Sequence, residues 1–181
     1  MEKIESNRLI LRYIELKDKN AMFAYRSDPE VYKYQYWKPT TVDDVIEFIT
    51  TEIVREPNIP GTWLQFGIWK KEDVKLIGDC GIHFLENEFE QVEIGITISR
   101  DYQGKGYGKE ALSILFNYVF HSLGKHRIIA SIDPANIASI TLMEKMRMRK
   151  EAHFIKSISI NNKWVDDVIY AILKEEWNQY N

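Results

Sequence analysis

Apolar and polar positions alternate over residues 8–14, with Leu9 and Leu11 facing one way and Arg8, Ile10 and Arg12 the other, which predicts an opening strand. Over 16–27 the spacing becomes helical. Asp28-Pro29 ends it, because proline disfavours helical geometry in the residue before it. Residues 31–37 are dense in aromatics: Tyr32, Tyr34, Tyr36 and Trp37. Thr40-Thr41 with Asp43 and Asp44 predicts a second helix start, acidic in its first turn, followed by an apolar face of Val45, Ile46, Phe48, Ile49 and Ile53. Residues 55–61 carry two prolines and a glycine and read as a loop. Strand-like runs at 62–69, 74–84 and 91–99 follow, split by polar turns at 70–73 and 86–90, which makes an antiparallel meander. Tyr107, Ala111, Ile114, Leu115, Tyr118 and Val119 then recur at helical spacing to about His121, and Gly124 stops that helix. A buried strand at 127–132, a helix at 134–146 and a hairpin of 151–160 with 165–173 around Asn161-Asn162-Lys163 complete the chain. No repeat, low-complexity tract or linker divides it, so residues 1–181 read as one domain.

The last strand of the meander meets the long helix at residues 100–110, R-D-Y-Q-G-K-G-Y-G-K-E. Three glycines in five residues let the backbone approach a ligand and adopt dihedrals closed to other residues. The first N–H groups of the helix lack internal partners, and with the helix dipole they favour an anion, most often a phosphate. Lys105 and Lys109 add positive charge at the rim. A P-loop is excluded: its first glycine would fall on Gln103, and Glu110 stands where a magnesium-binding Ser or Thr belongs. A dinucleotide fingerprint is excluded too, because its third glycine would be Lys109. A plain glycine-rich turn between strand and helix is the bland alternative.

The pattern that fits is [QR]-x-x-G-x-[GA], here Gln103, Gly104, Lys105, Gly106, Tyr107 and Gly108, and it resembles the acyl-CoA pyrophosphate loop of the GNAT superfamily of N-acetyltransferases. The predicted element order also resembles that fold. Further segments are similar to its RimJ/RimL-like, ribosomal-protein N-acetyltransferase-type branch. These are Arg8-Leu9-Ile10-Leu11-Arg12, Ser27-Asp28-Pro29-Glu30-Val31, Glu93-Ile94-Gly95, His126-Arg127-Ile128, the run from Asp133 through Asn136 to Ser139, Trp164-x-Asp166 and Tyr170. Two departures stand out. Ile96 replaces the branch's aromatic after E-I-G, and Met146-Arg147-Met148 replaces L-G-F, placing Arg147 where a left-handed cap favours glycine.

The resemblance implies an α/β GNAT fold, a mixed and mostly antiparallel sheet of about seven strands with helices on both faces. It implies acetyl-CoA as co-substrate, held by Ile96 and Ile98, by the loop from Gln103 through Lys109, and by Asn136, Ser139 and Met143. Glu93 is the candidate general base, acting through a water, and Ser139 a possible proton donor to the leaving thiolate. Their bland readings are a solvated strand carboxylate and a plain helix serine, and Asn136 could be only a helix cap. Trp37, Tyr34 and Trp164 are candidates for the acceptor pocket, although aromatics are also ordinary core material.

Composition narrows the classes. A net charge of −3 and a pI near 5.9 argue against a general nucleic-acid surface. The single cysteine, Cys80, excludes an internal disulfide framework and reads as a buried thiol. The four histidines lack metal-ligand spacing, so no metal is expected. The N-terminus has no apolar signal core and no run reaches membrane-spanning length, so a cytoplasmic protein without a membrane partner is expected, as monomer or homodimer. Acetyl transfer to a protein N-terminal amine or a small-molecule amine is the leading function. A catalytically silent CoA-binding module is the alternative.

Overall fold

The computed structural model describes residues 3–160 and 163–179. The expected hairpin tip, Asn161 and Asn162, lies outside the described residues. Strand β1 (Lys3–Glu5) pairs antiparallel with β2 (Leu9–Tyr13), whose Leu9, Leu11 and Tyr13 are buried as the alternation requires. A 3-10 turn (Leu16–Asp18) leads into α1 (Lys19–Arg26). Asp28-Pro29 does end that helix, and it also starts another, α2 (Pro29–Tyr32): Asp28 accepts the Glu30 N–H, and proline occupies the first turn, where its missing N–H costs nothing. Thr41 caps α3 (Val42–Glu47) in a capping box with Asp44, as its sequence predicts.

The meander is β3 (Thr62–Lys70), β4 (Lys75–Phe84) and β5 (Gln91–Ile98). After α4 (Tyr107–Asn117) come β6 (Arg127–Ile132), α5 (Ile137–Lys145), β7 (Arg149–Ile160), β8 (Lys163–Leu173) and α6 (Lys174–Asn178). One eight-stranded sheet forms in the order β1-β2-β3-β4-β5-β6-β8-β7, and among the described residues only β5 and β6 run parallel. The expected count of about seven strands is thus one short. The three-residue β1 is too brief to show a periodicity.

One sheet face carries the main core. Leu64, Phe66, Cys80, Ile82, Val92 and Ile94 pack there against Ala111, Leu112, Leu115 and Phe116 of α4 and Met143 of α5. The other face receives α1 to α3 through a smaller cluster of Met22, Tyr25, Val45 and Ile49 with Ile14, Trp69 and Leu76. Burial pushes the Cys80 thiol well above its ordinary range, with Asp79 adding to the effect, so it stays protonated core material.

Arg147 adopts φ 65°, the left-handed conformation that its position demands. Its N–H donates to the Glu144 carbonyl at 2.9 Å, and the Met148 N–H donates to the Met143 carbonyl at 3.0 Å. This is a Schellman cap, completed by the buried pair Met143 and Met148. Losing the expected glycine therefore does not lose the cap. It strains it, because a left-handed residue with a Cβ costs roughly 1–2 kcal/mol. Arg147→Gly should raise stability by about 0.5–1 kcal/mol once glycine's greater unfolded-chain entropy is subtracted. A melting temperature higher by about 1–4 °C is expected. A lower one would mean that the exposed arginine side chain stabilises more than its backbone strains.

Candidate active site

Gly106 is the N-cap of α4, with φ 81° and no side-chain cap hydrogen bond. The N–H groups of Tyr107, Gly108 and Lys109 accordingly have no partner within the helix. Gly104 is also left-handed, at φ 72°. Lys105 and Lys109 are exposed beside them, and Gly108 lies against Leu142 of α5. Gln103 fastens the loop to β5 by donating its side-chain N–H to the Ile98 carbonyl at 2.9 Å. The loop therefore presents unpaired donors on a defined backbone, the arrangement that binds phosphate oxygens.

A second fastening was not legible in the sequence. Glu110 accepts from the Ser6 hydroxyl at 2.6 Å, the Arg8 backbone N–H at 3.0 Å and the Arg8 Nε at 2.6 Å. The same guanidinium donates to the Lys105 carbonyl at 3.3 Å and lies 4.6 Å from the centre of the Tyr107 ring. Arg8 thus ties the approach to β2 onto the glycine loop. Burial raises the Glu110 pKa, but hydrogen bonds from Ser6 and Arg8 outweigh it and leave the value lowered. A lowered folded pKa means that this clasp stabilises the protein fully above the ordinary carboxylate range and weakens as pH falls through the folded value.

The pairing of β5 with β6 covers only Gln91↔Arg127, Val92↔Ile128 and Glu93↔Ile129. Beyond Glu93 the two strands part, while β5 stays paired to β4 as far as Ile98 and β6 to β8 as far as Ile132. Among the described residues, the β6-facing backbone groups of residues 94–98 have no strand partner. A cavity of about 520 Å³ runs through the split, lined on β5 by Glu93 to Thr97 and on the far side by Asn136, Ser139 and Met143.

The structure brings seven of the expected site residues together here. Glu93, Ile96, Asn136, Ser139, Met143, Trp37 and Tyr34 all line the cavity. Ile98 ends β5 beside the loop and packs on the core. Asn136 caps α5, accepting the Ser139 N–H at 3.2 Å, and its amide N–H groups stay available as donors. Ser139 Oγ makes no hydrogen bond among the described residues. Trp37 stacks on Phe48 at 4.5 Å. Trp164 is placed elsewhere: it sits opposite Ser159 near the hairpin tip, 65% exposed, and does not line the cavity.

Around Glu93 lies a ladder across three strands. The rings of Trp63 and His83 stack at 4.8 Å, and His83 Nδ1 stands 3.3 Å from a Glu93 carboxylate oxygen. Trp63 covers the position where Gly95 has no side chain, so the indole forms cavity wall. Beneath it, the fully buried Asp79 accepts from the Tyr25 hydroxyl at 2.6 Å, from Arg26 through two nitrogens and from Gln65. Arg26 continues to Gln35 at 2.6 Å, and Gln35 to the Thr97 hydroxyl at 2.9 Å. Burial first, then the Asp79 charge, pushes the Tyr25 hydroxyl well above its ordinary value, so it remains a donor. An aspartate within the apolar run 74–84 was the available signal for this network.

Residues 8–149 match the acetyltransferase (GNAT) domain. The chain belongs to the GNAT family of N-acetyltransferases. It is 36% identical over 177 residues to the uncharacterized N-acetyltransferase YnaD of Bacillus subtilis (strain 168), covering 97% of this chain and 99% of that protein. A crystal structure of a GNAT-family acetyltransferase from Bacillus anthracis superposes with a TM-score of 0.85 at 34% identity, over 97% of this chain and all of that one. The [ribosomal protein uS5]-alanine N-acetyltransferase of Escherichia coli (strain K12) is 26% identical over 126 residues, 69% of this chain and 65% of that protein. The GNAT family uses acetyl-CoA as co-substrate, and this chain fits it. The left-handed glycines and open helix N-terminus suit a pyrophosphate, and the unpaired edge of β5 suits an amide-bearing arm.

Two variants test this site. Gly106→Asp forces a residue with a Cβ into φ 81° and sets a carboxylate against the helix N-terminus. Binding of acetyl-CoA should weaken at least tenfold by calorimetry. Arg8→Ala should raise the KM for acetyl-CoA several-fold with little change in the KM for the amine, and Arg8→Lys should recover only part of the loss. Equal changes in both KM values would point to general destabilisation instead.

Proposed function

We propose that this cytoplasmic, single-domain enzyme moves an acetyl group from acetyl-CoA to a primary amine by direct attack. The amine is a protein N-terminal amine or a small molecule. The observation that carries the reading is the position of Glu93, the last residue of β5 paired with β6, where the strands part and the cavity passes through the sheet. A carboxylate there can take the proton from an incoming ammonium through a water, so that nitrogen attacks the thioester carbonyl as a neutral amine. An unpaired N–H near Ile96 can stabilise the oxyanion of a tetrahedral intermediate. As the carbon–sulfur bond breaks, the departing thiolate needs a proton. The Ser139 hydroxyl, across the cavity and without another hydrogen bond among the described residues, can give it.

The similarity to the uS5-alanine N-acetyltransferase and the branch motifs support the RimJ/RimL-like assignment. The feature that would favour a silent CoA-binding module, Arg147-Met148, leaves the α5 cap formed and Met143 on the cavity wall.

Glu93→Gln keeps the shape and removes the basicity. It should slow CoA release by roughly 10²–10⁴-fold and alter the pH–rate profile, with CoA affinity unchanged. Ser139→Ala should also leave CoA binding intact while slowing turnover. Unchanged kinetics in both variants, per folded molecule, would remove the catalytic reading.

A further inference from the structure

The reading above leaves the acceptor open, and the cavity walls narrow it. They carry the carboxylates Glu52, Asp79, Glu93, Asp133, Asp166 and Asp167, and no lysine. The single arginine on the wall, Arg26, is engaged with the buried Asp79, so it adds no net charge. Glu93 stands beside His83 and Asp166 beside His153. Glu52, Asp133 and Asp167 have no basic side chain against them among the described residues.

Two of these three stand together. The β6–β8 register ends at Ile132↔Val168, so Asp133 follows the last paired residue of β6 and Asp167 precedes that residue's partner on β8. Neither is a loose surface residue. Asp167 is buried and accepts from the Ser131 hydroxyl at 2.8 Å and the Ile132 N–H at 3.0 Å, while Asp133 accepts the Ala135 N–H at 2.8 Å. Both residues line the cavity, at a distance from Glu93. Measured along β6, Asp133 lies four residues beyond Ile129, the partner of Glu93, which is about 13 Å of strand.

Aromatic faces complete the wall. Trp37, Tyr34, Tyr36 and Trp63 line the cavity, and the Arg26 guanidinium already lies 5.6 Å from the centre of the Trp37 ring. Such faces attract cations further when water is excluded. Tyr36 reports the field they share: burial first, then the charges of Asp167, Glu93 and Asp133, raise its hydroxyl pKa.

Resting on the acetyl-transfer reading of this cavity, we infer that the acceptor is a small amine with a second cationic centre, of the aliphatic diamine or polyamine class. One nitrogen reacts beside Glu93, and the other ammonium is held by Asp133 and Asp167 among the aromatic rings. A neutral monoamine leaves these carboxylates unmatched, and a peptide N-terminus satisfies them only if a basic side chain follows closely.

The test compares chain-length-matched acceptors, 1,5-diaminopentane with 1-aminopentane and 1,4-diaminobutane with 1-aminobutane, by CoA release and by calorimetric titration of the CoA-bound protein. The dications should show a kcat/KM at least tenfold higher, with a KM that rises steeply with salt. Asp133→Asn keeps the shape and the Ala135 hydrogen bond in reach. It should raise the KM for the dications at least fivefold while leaving kcat and the KM for 1-aminopentane nearly unchanged. Equal kcat/KM for mono- and dications, or equal losses for both in the variant, would overturn the inference, as would a basic peptide outperforming the dications. If no amine is acetylated, the catalytic reading fails, and the titration still decides the charge preference: dications bind more tightly, or the inference falls.

Discussion

Everything at this site depends on where a ladder of hydrogen bonds stops. β5 and β6 are the parallel pair, and their pairing lasts three residues. Buried backbone groups without partners are costly, so a sheet rarely gives up pairing in its middle. Here the strands stay anchored on their outer sides, β5 to β4 and β6 to β8, and the gap between them persists. The groups left open are the ones that an amide-bearing substrate arm can satisfy. A defect in the sheet thereby becomes the passage joining its two faces.

The other devices hold ligand groups around that passage. α4 begins at a left-handed glycine shortly after β5 ends and leaves its first N–H groups open. Gln103 and the Arg8–Glu110 clasp fix the loop from two sides, one to β5 and one to the approach to β2. On the opposite face, the Asp79 network ties α1 to β3, β4 and, through Gln35, to Thr97 on β5. A buried carboxylate with four donors is expensive to assemble and rigid once formed. It supports the wall on which Trp63, Trp37 and Glu93 stand.

Much of this was legible in the sequence because local chemistry dictated it. The glycines of the loop, the capping box at Thr41 and Asp44, and the alternation of β2 are each set by a few neighbouring residues. Arg147 was read as a residue in a glycine position, and its φ of 65° bears that out. What escaped reading depends on partners far apart in the chain. Arg8 meets Glu110 across 102 positions, and Tyr25 meets Asp79 across 54. α2 was hidden because Asp28-Pro29 signals both an end and a beginning, and β1 because three residues carry no period. Trp164 shares its β8 segment with Asp166 and Asp167, but its place near the hairpin tip takes it past the cavity.

The most direct test is amide hydrogen exchange with and without CoA. If the split between β5 and β6 holds the substrate arm and the glycine loop its phosphates, CoA should slow exchange at the slot-facing amides of residues 94–98 and at 104–109. The β4-facing amides of β5, already paired, should change little. Protection confined to other parts of the molecule, with both segments exchanging as in the free protein, would contradict the account.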